Sequence, residues 1–326
     1  MKSIFKRKYW LILFLLGALS LGGAEYPRYK IGRVYYSRLR DIAADYGFRA
    51  RRGKTRMEIY NPAARKIMMV FHNEKKFAQV NSTRVALASP AILNGNGSQV
   101  SYIDGIKTVR PLLDNGRLHY HRVQTIVLDP GHGGKDQGAA GGGRIEKELN
   151  LQLARKVELL LKAKGFRVLL TRRYDRFLSL QQRSAFANAR HADLFISIHA
   201  NSSPTSSPRG IEVFCLSPAG TASSNASAVS WTSYPGNRYD SRNIRLGYFM
   251  QTALIRKTQA NDMGVKRARF AVLRDLNCPG VLVEMGFLSN PQEAALLRSQ
   301  EYLDKLAQGI VSGILDYCHA MRPPNG

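Results

Sequence analysis

The chain has 326 residues, 44% of them apolar and 9% aromatic, which excludes a disordered or purely solvating polymer and leaves room for about two domains. Its 49 Lys+Arg against 23 Asp+Glu give a net charge of +26, a field that gathers anionic partners: nucleic acid, acidic lipid or a carboxylate-bearing polymer. The three cysteines, none in a Cys-x-x-Cys spacing, exclude a disulfide framework and a thiolate zinc site.

Residues 1–24 read as an export signal. Lys2, Lys6, Arg7 and Lys8 form a positive start, residues 10–21 a short apolar run, and Gly22-Gly23-Ala24 a small-residue cleavage pattern before Glu25. The apolar run is shorter than the roughly 20 residues a membrane span needs, and no Cys follows it to carry a lipid. The expected location is therefore periplasmic or secreted. Export turns the positive field away from nucleic acid and toward an anionic envelope surface or polymer. In an oxidising compartment one bridge among Cys215, Cys278 and Cys318 stays open.

Residues 25–120 read as a small α+β module. Ser37 is positioned to cap a short helix over 37–46 that stops at Gly47. Hairpin-like pieces follow at 49–51, 57–60, 67–71, 77–80 and 85–87, and Asn94-Gly95-Asn96-Gly97 reads as a turn. The module holds 18 Lys+Arg against 7 Asp+Glu, whereas residues 121–326 hold 27 against 16 over about twice the length. It is thus the candidate for holding the protein on an anionic surface, with plain solvated faces as the alternative. No catalytic constellation is legible in it.

From Arg122 strands alternate with longer helices, the pattern of an α/β domain over 121–320 with a tail at 321–326. The predicted strands are 125–129, 167–171, 194–199, 210–216, 270–274 and 280–284. The predicted helices are 147–164, 179–190, 242–259 and 302–317, each with an apolar stripe that reads as core. The fold class is α/β, a mostly parallel central sheet flanked by helices and preceded by the small module. Residues 202–208 and 217–241 read as loops. Because both leave the carboxyl ends of strands, both are expected to border a site there.

Three predicted strands end in residues suited to metal chemistry. His132 follows 125–129 across Asp129-Pro130-Gly131, His199 closes 194–198, and Glu284 closes 281–283, on a short turn formed by Met285-Gly286-Phe287. Continuous apolar strands are buried and parallel, and parallel strands share one carboxyl edge. Glu146, at the start of the helix after the first strand's loop, is placed to return to the same edge. Two His and one Glu with an open position make a catalytic zinc set, and a further carboxylate then serves as general base. The spacings are too long for a local zinc motif. Taken singly, His199 suits a satisfied strand-end histidine, Glu146 a helix N-terminal acid, and Glu284 a partner for an arginine.

These residues sit in a series of motifs: Leu128-Asp129-Pro130-Gly131-His132-Gly133-Gly134, Glu146-Lys147 with Asn150-Leu151, Leu170-Thr171-Arg172 with Asp175, and Ser197-Ile198-His199-Ala200-Asn201. Gly210-Ile211-Glu212-Val213 and Val283-Glu284-Met285-Gly286-Phe287-Leu288-Ser289-Asn290 follow. In this order, over about 190 residues, they resemble the zinc-dependent N-acetylmuramoyl-L-alanine amidases of the cell-wall hydrolase type. The resemblance implies one catalytic zinc (Zn2+) held by His132, Glu146 and His199, Glu284 as the catalytic carboxylate, and peptidoglycan as substrate. Glu146 is preferred to Glu148 because the family's acid lies four residues before the Asn-Leu pair. Met285, where the family more often has Thr, is expected to alter the rim and not the mechanism. Some relatives insert a helix that plugs the zinc; residues 217–241 lack helical periodicity, and no activator is legible. Around Leu39-Arg40-Asp41-Ile42-Ala43, Val80-Asn81 and Val85-Ala86-Leu87 the module faintly resembles the amino-terminal stalk domain of copper amine oxidases, with no copper implied. The alternatives to an amidase are a zinc-containing peptidoglycan-binding protein without catalysis, or a zinc peptidase acting on another amide.

Overall fold

The computed structural model describes residues 26–94, 97–114, 122–224 and 226–322. The export-signal reading of 1–24, the domain boundary at 120/121 and the middle of the Asn94–Gly97 turn lie outside them. Strands β1 (Arg49–Arg52), β2 (Arg56–Asn61), β3 (Lys66–His72), β4 (Phe77–Val80) and β5 (Thr83–Ala86) come from the module. Strands β6 (Thr125–Pro130), β7 (Arg167–Leu170), β8 (Leu194–Asn201), β9 (Ile211–Leu216), β10 (Asp262–Ala268) and β11 (Gly280–Phe287) come from the rest. All belong to one 11-stranded sheet, in the order β7-β6-β8-β11-β9-β10-β5-β4-β3-β2-β1.

The module and the α/β half therefore share a sheet. The joint is a parallel pairing of β5 with β10 at Val85 and Val265. A Thr83–Thr252 hydroxyl contact of 2.6 Å and an Arg84 N–H donated to Asp262 at 2.9 Å reinforce it. A second, four-stranded sheet (Tyr29–Ile31, Val34–Arg38, Gly97–Ser101, Ile92–Asn94) completes the module. Its helix is shorter than expected, Leu39–Ala44, because the preceding residues pair as a strand; Ser37 donates its hydroxyl to the Pro27 carbonyl and caps nothing.

In the α/β half β7, β6, β8 and β11 run parallel, in the register Leu128↔Ile196↔Val281. Every residue of β6 is buried, so the pleat sends alternate side chains to two separate cores. Ile126 and Leu128 pack under helices α1 (Glu146–Lys162), α3 (Asp240–Thr258) and α5 (Gln300–Ala320). Val127 packs under α2 (Leu180–Ala189) and α4 (Ala271–Arg274). In α1, Leu149, Leu153, Val157 and Leu161 recur every four residues and are fully buried, each worth about 1.5–3 kcal/mol relative to exposure.

Beyond β11 the direction reverses. β9 is antiparallel to β11 (Glu212↔Glu284, Phe214↔Leu282), while β10 and β5 run parallel to β9. The sheet thus has two carboxyl edges, one at the ends of β6, β8 and β11 and one at the ends of β5, β9 and β10.

Three sequence expectations are corrected here. The strand expected at 270–274 lies at Asp262–Ala268, and Ala271–Arg274 is helical. Lys266 and Arg267 disguised that strand; their charges are met inside by Glu212 and by the Lys107 carbonyl and Thr108 hydroxyl. The apolar run at 270–273 instead lays Val272 and Leu273 into the second core. Met285-Gly286-Phe287 is not a turn, because Phe287 pairs with Asn201 and extends β11 past Glu284. Residues 217–241 leave the end of β9, which faces away from the other strand ends, so they do not border the edge carrying His199. Within them the described residues form a small hairpin (Thr221–Ala222 with Val229–Ser230) and a 3-10 turn at Pro235–Tyr239. All three cysteines are free. Among the described residues no helix is long and apolar enough to cross a membrane.

Candidate metal centre

At the first edge the backbone is fixed before any ligand is placed. Asp129, 0% exposed, accepts from the Thr171 hydroxyl at 2.6 Å, Arg183 Nη1 at 2.8 Å and the Ser197 hydroxyl at 2.9 Å. A buried carboxylate is tolerable only with such partners. Arg183 also donates to the carbonyls of Pro130 (2.9 Å) and His132 (2.8 Å). Arg172, equally buried, donates to Pro130 (2.9 Å), Gly131 (2.9 Å) and Lys147 (2.6 Å) carbonyls. Two guanidiniums thus hold three consecutive carbonyls, and His132 stays in the left-handed region at φ +59° that a non-glycine residue seldom adopts.

His132, Glu146 and His199 converge, with one donor atom from each lying within 4.8 Å of the others. Glu146, the first residue of α1 and 4% exposed, sits between the imidazoles. Its Oε1 is 3.1 Å from His132 Nε2 and 3.0 Å from His199 Nδ1. The same oxygen accepts from Ala200 N–H at 3.1 Å, and Oε2 accepts from Ala139 N–H at 2.8 Å. The rings meet edge-to-face with centroids 5.0 Å apart. Burial pushes the Glu146 carboxyl up, but hydrogen bonds from His132, His199 and Ala139 outweigh it and hold the group ionised well below the usual range. Burial pulls His132 down, and the adjoining Glu146 and Asp136 carboxylates more than reverse it. Asp136 Oδ1 lies 2.9 Å from His132 Nδ1, at ion-pair distance without hydrogen-bond alignment.

Close approach depends on two glycines. A Cβ at Gly131 would stand 2.1 Å from the His199 ring, and one at Gly138 2.5 Å from Glu146 Oε2 and 2.7 Å from His132 Cδ2. Neither collision is relieved by a small shift. The donor set fits a divalent metal. Two imidazole nitrogens and a carboxylate whose donor atoms lie within 4.8 Å of one another are a zinc-type set.

Glu284 lies beside this set in the row His199–Glu284–Glu212, opposite His199 on one side and Glu212 on the other. Its Oε2 is buried with no hydrogen-bond partner. Burial, then the charges of Glu146 and Glu212, push its carboxyl well above the usual range. Glu212, which the sequence offered only as part of a motif, is itself committed: it accepts from Asn201 Nδ2 at 2.8 Å and pairs with the Lys266 ammonium. Glu284 is therefore the carboxylate of this row that has no partner among the described residues. Met285, expected at the rim, is fully buried on the opposite face of β11, so its departure from the resembled motif touches the core and not the site.

The four residues singled out from sequence thus meet at one edge. The positioning roles of Arg172 and Arg183 were missed: Arg172 stood only as part of the Leu170-Thr171-Arg172 motif, and Arg183, between Gln182 and Ser184, looks like any residue on an exposed helix face.

Residues 126–316 match the family described as N-acetylmuramoyl-L-alanine amidase. The chain is 39% identical over 194 residues to the N-acetylmuramoyl-L-alanine amidase LytC of Bacillus subtilis, covering 60% of this chain and 35% of LytC. It is 38% identical over 259 residues to the amidase AmiC of Neisseria meningitidis serogroup B, covering 70% of this chain and 61% of AmiC. The chain thus spans less than two thirds of each. The solved catalytic domain of CwlV, an N-acetylmuramoyl-L-alanine amidase from Bacillus (Paenibacillus) polymyxa, is 35% identical and superposes with a TM-score of 0.52. That match covers 61% of this chain and 99% of the domain.

Proposed function

The chain belongs to the N-acetylmuramoyl-L-alanine amidase family, and from that premise we propose that it is an exported zinc-dependent hydrolase of peptidoglycan. The bond cut is the amide between the lactyl group of N-acetylmuramic acid and the L-alanine of the stem peptide. His132, Glu146 and His199 hold the metal, which when bound supplies Lewis acidity for the amide carbonyl and for water. Without the metal, hydrogen bonds hold the Glu146 carboxyl ionised against its burial, and a bound dication would favour the same form. Glu284 takes the proton of the attacking water and returns it to the departing L-alanine nitrogen, so one carboxylate serves as base and then acid. Its raised pKa suits the donor half of that cycle, and a nearby dication favours the ionised form needed for the first half. Gly131 and Gly138 keep the ligands in contact, and Arg172 and Arg183 hold His132 in its strained conformation.

The observation that carries this reading is the convergence of His132, Glu146 and His199 beside a carboxylate that has no partner of its own. A non-catalytic zinc-containing binder gives no reason for that unpaired carboxylate. Digestion of purified peptidoglycan by the zinc-loaded chain is expected to release new L-alanine amino termini; new termini of any other residue, or none, would overturn it. Metal content by elemental analysis, lost on His199→Ala and kept on Glu284→Gln, separates ligand from acid–base roles. Residues 1–24 are read as the leader that delivers the chain to the periplasm or outside the cell.

A further inference from the structure

The second carboxyl edge holds a cavity of about 510 Å³, within the ~300–1,000 Å³ of small-ligand sites. The exits of β5 (Ala88, Ser89) and the hairpin after β9 line it, together with the module's second sheet. Two features of its lining lack a structural explanation. Trp231 is 79% exposed and Tyr35 53% exposed, although burying such rings is strongly favourable. Arg33 and Lys76 are exposed, form no ion pair among the described residues, and no acidic side chain lines the cavity with them.

The hairpin that presents Trp231 is fixed. Arg269 Nη2 donates to the carbonyls of Pro218 (3.2 Å), Thr221 (2.5 Å) and Ser230 (3.2 Å). Gly220, at φ +78°, lets the indole lie across it: a Cβ there would stand 3.0 Å from Trp231 Cζ3 and 3.1 Å from Ile103 Cδ1. One face of Tyr102 is taken by the Arg28 guanidinium, 4.2 Å from the ring centroid. That leaves Trp231 and Tyr35 as the exposed aromatic surfaces, with the Ser89 and Ser227 hydroxyls also in the lining; the Ser101 and Thr221 hydroxyls are already donated to Asp104 and to the Pro218 carbonyl.

We propose that this cavity is a second, non-catalytic binding site for the glycan of a carboxylate-bearing amino-sugar polymer, with sugar rings on Trp231 and Tyr35 and peptide carboxylates at Arg33 and Lys76. Aromatic faces suit the apolar faces of sugar rings, hydroxyls suit their edges, and the uncompensated cations suit acidic branches. Naming the polymer as peptidoglycan rests on the amidase reading; the site itself does not. The β9 reversal sets it at the opposite end of the strands from the metal centre. The two sites therefore engage different stretches of a long strand, and the second adds avidity without joining the chemistry.

The test uses the full chain with Glu284→Gln to prevent digestion, sedimented with purified sacculi. Trp231→Ala, and separately Arg33→Glu with Lys76→Glu, are each expected to weaken sedimentation about tenfold. All three residues are exposed, so folding is not at issue. In the wild-type background Trp231→Ala is expected to leave kcat/KM on a soluble monomeric muropeptide unchanged. Sedimentation unaffected by both variants overturns the site even if muropeptide cleavage is normal. So does a loss seen only with phosphatidylglycerol vesicles, which makes it a lipid surface. Variant-sensitive sedimentation by a chain that cleaves no muropeptide upholds the site and removes the catalytic reading instead.

Discussion

The two carboxyl edges of the sheet differ in what their strand exits carry. Where β6, β8 and β11 finish, the glycine-rich turn after β6 brings His132 and the buried Glu146, with His199 of β8, to within 4.8 Å of one another, and two buried arginines fix the backbone beneath them. Where β5, β9 and β10 finish, longer excursions leave rings and cations exposed around an open cavity. Chemistry on an amide needs groups held in one geometry and withdrawn from water. Retention of a polymer needs area and charge, and tolerates solvent. By reversing direction between β11 and β9, one sheet presents an edge of each kind.

That division can be broken most severely at Glu284. Glu284→Gln is expected to lower peptidoglycan cleavage by about 10²–10⁴-fold, the usual worth of a general acid–base group, with metal content unchanged. Retained activity would leave the first edge without its chemistry. Arg183→Met strikes the support instead of the reacting groups. It strands the Asp129 charge in the core, so a loss of about 3–5 kcal/mol in denaturant unfolding is expected, together with weaker metal binding. Glu158→Gln, on α1 and away from both edges, sets the scale of an ion pair whose acid is covered and whose partners, Lys162 and Arg173, are half-exposed. Burial raises the Glu158 carboxyl, but Lys162 and Arg173 outweigh it and lower its pKa. Its stabilisation, at most about 1 kcal/mol after screening, is therefore present above pH ~4.3 and fades as pH falls through the lowered folded value. Unfolding curves are expected to differ between wild type and variant more at pH 7 than at pH 3. Smallest of all is the stability effect of Trp231→Ala, expected within about 0.5 kcal/mol because the ring is exposed. A larger loss would make the second edge structural and not a binding surface.

Much of the first edge was legible because its strands are buried on both faces and so read as unbroken apolar runs ending in His or Glu. The strand Asp262–Ala268 was not, since Lys266 and Arg267 look like surface residues until Glu212, Lys107 and Thr108 come round to meet them. Glu212 illustrates the same limit: nothing local says whether an acid between apolar residues is free or paired. Here its pairing with Lys266 and Asn201 is what leaves Glu284 as the unpartnered carboxylate.

Sequence by itself determined the α/β class and the order of strands and helices along most of the second half, and it singled out His132, Glu146, His199 and Glu284, which the fold brings to one edge. It did so because periodicity and strand endings are properties of neighbours along the chain. Only the tertiary structure decided that the module and the α/β half share one sheet, that β9 runs backwards, and that residues 217–241 face away from the metal centre. Strand direction depends on which partner a strand finds in space, and no pattern within six residues can state that.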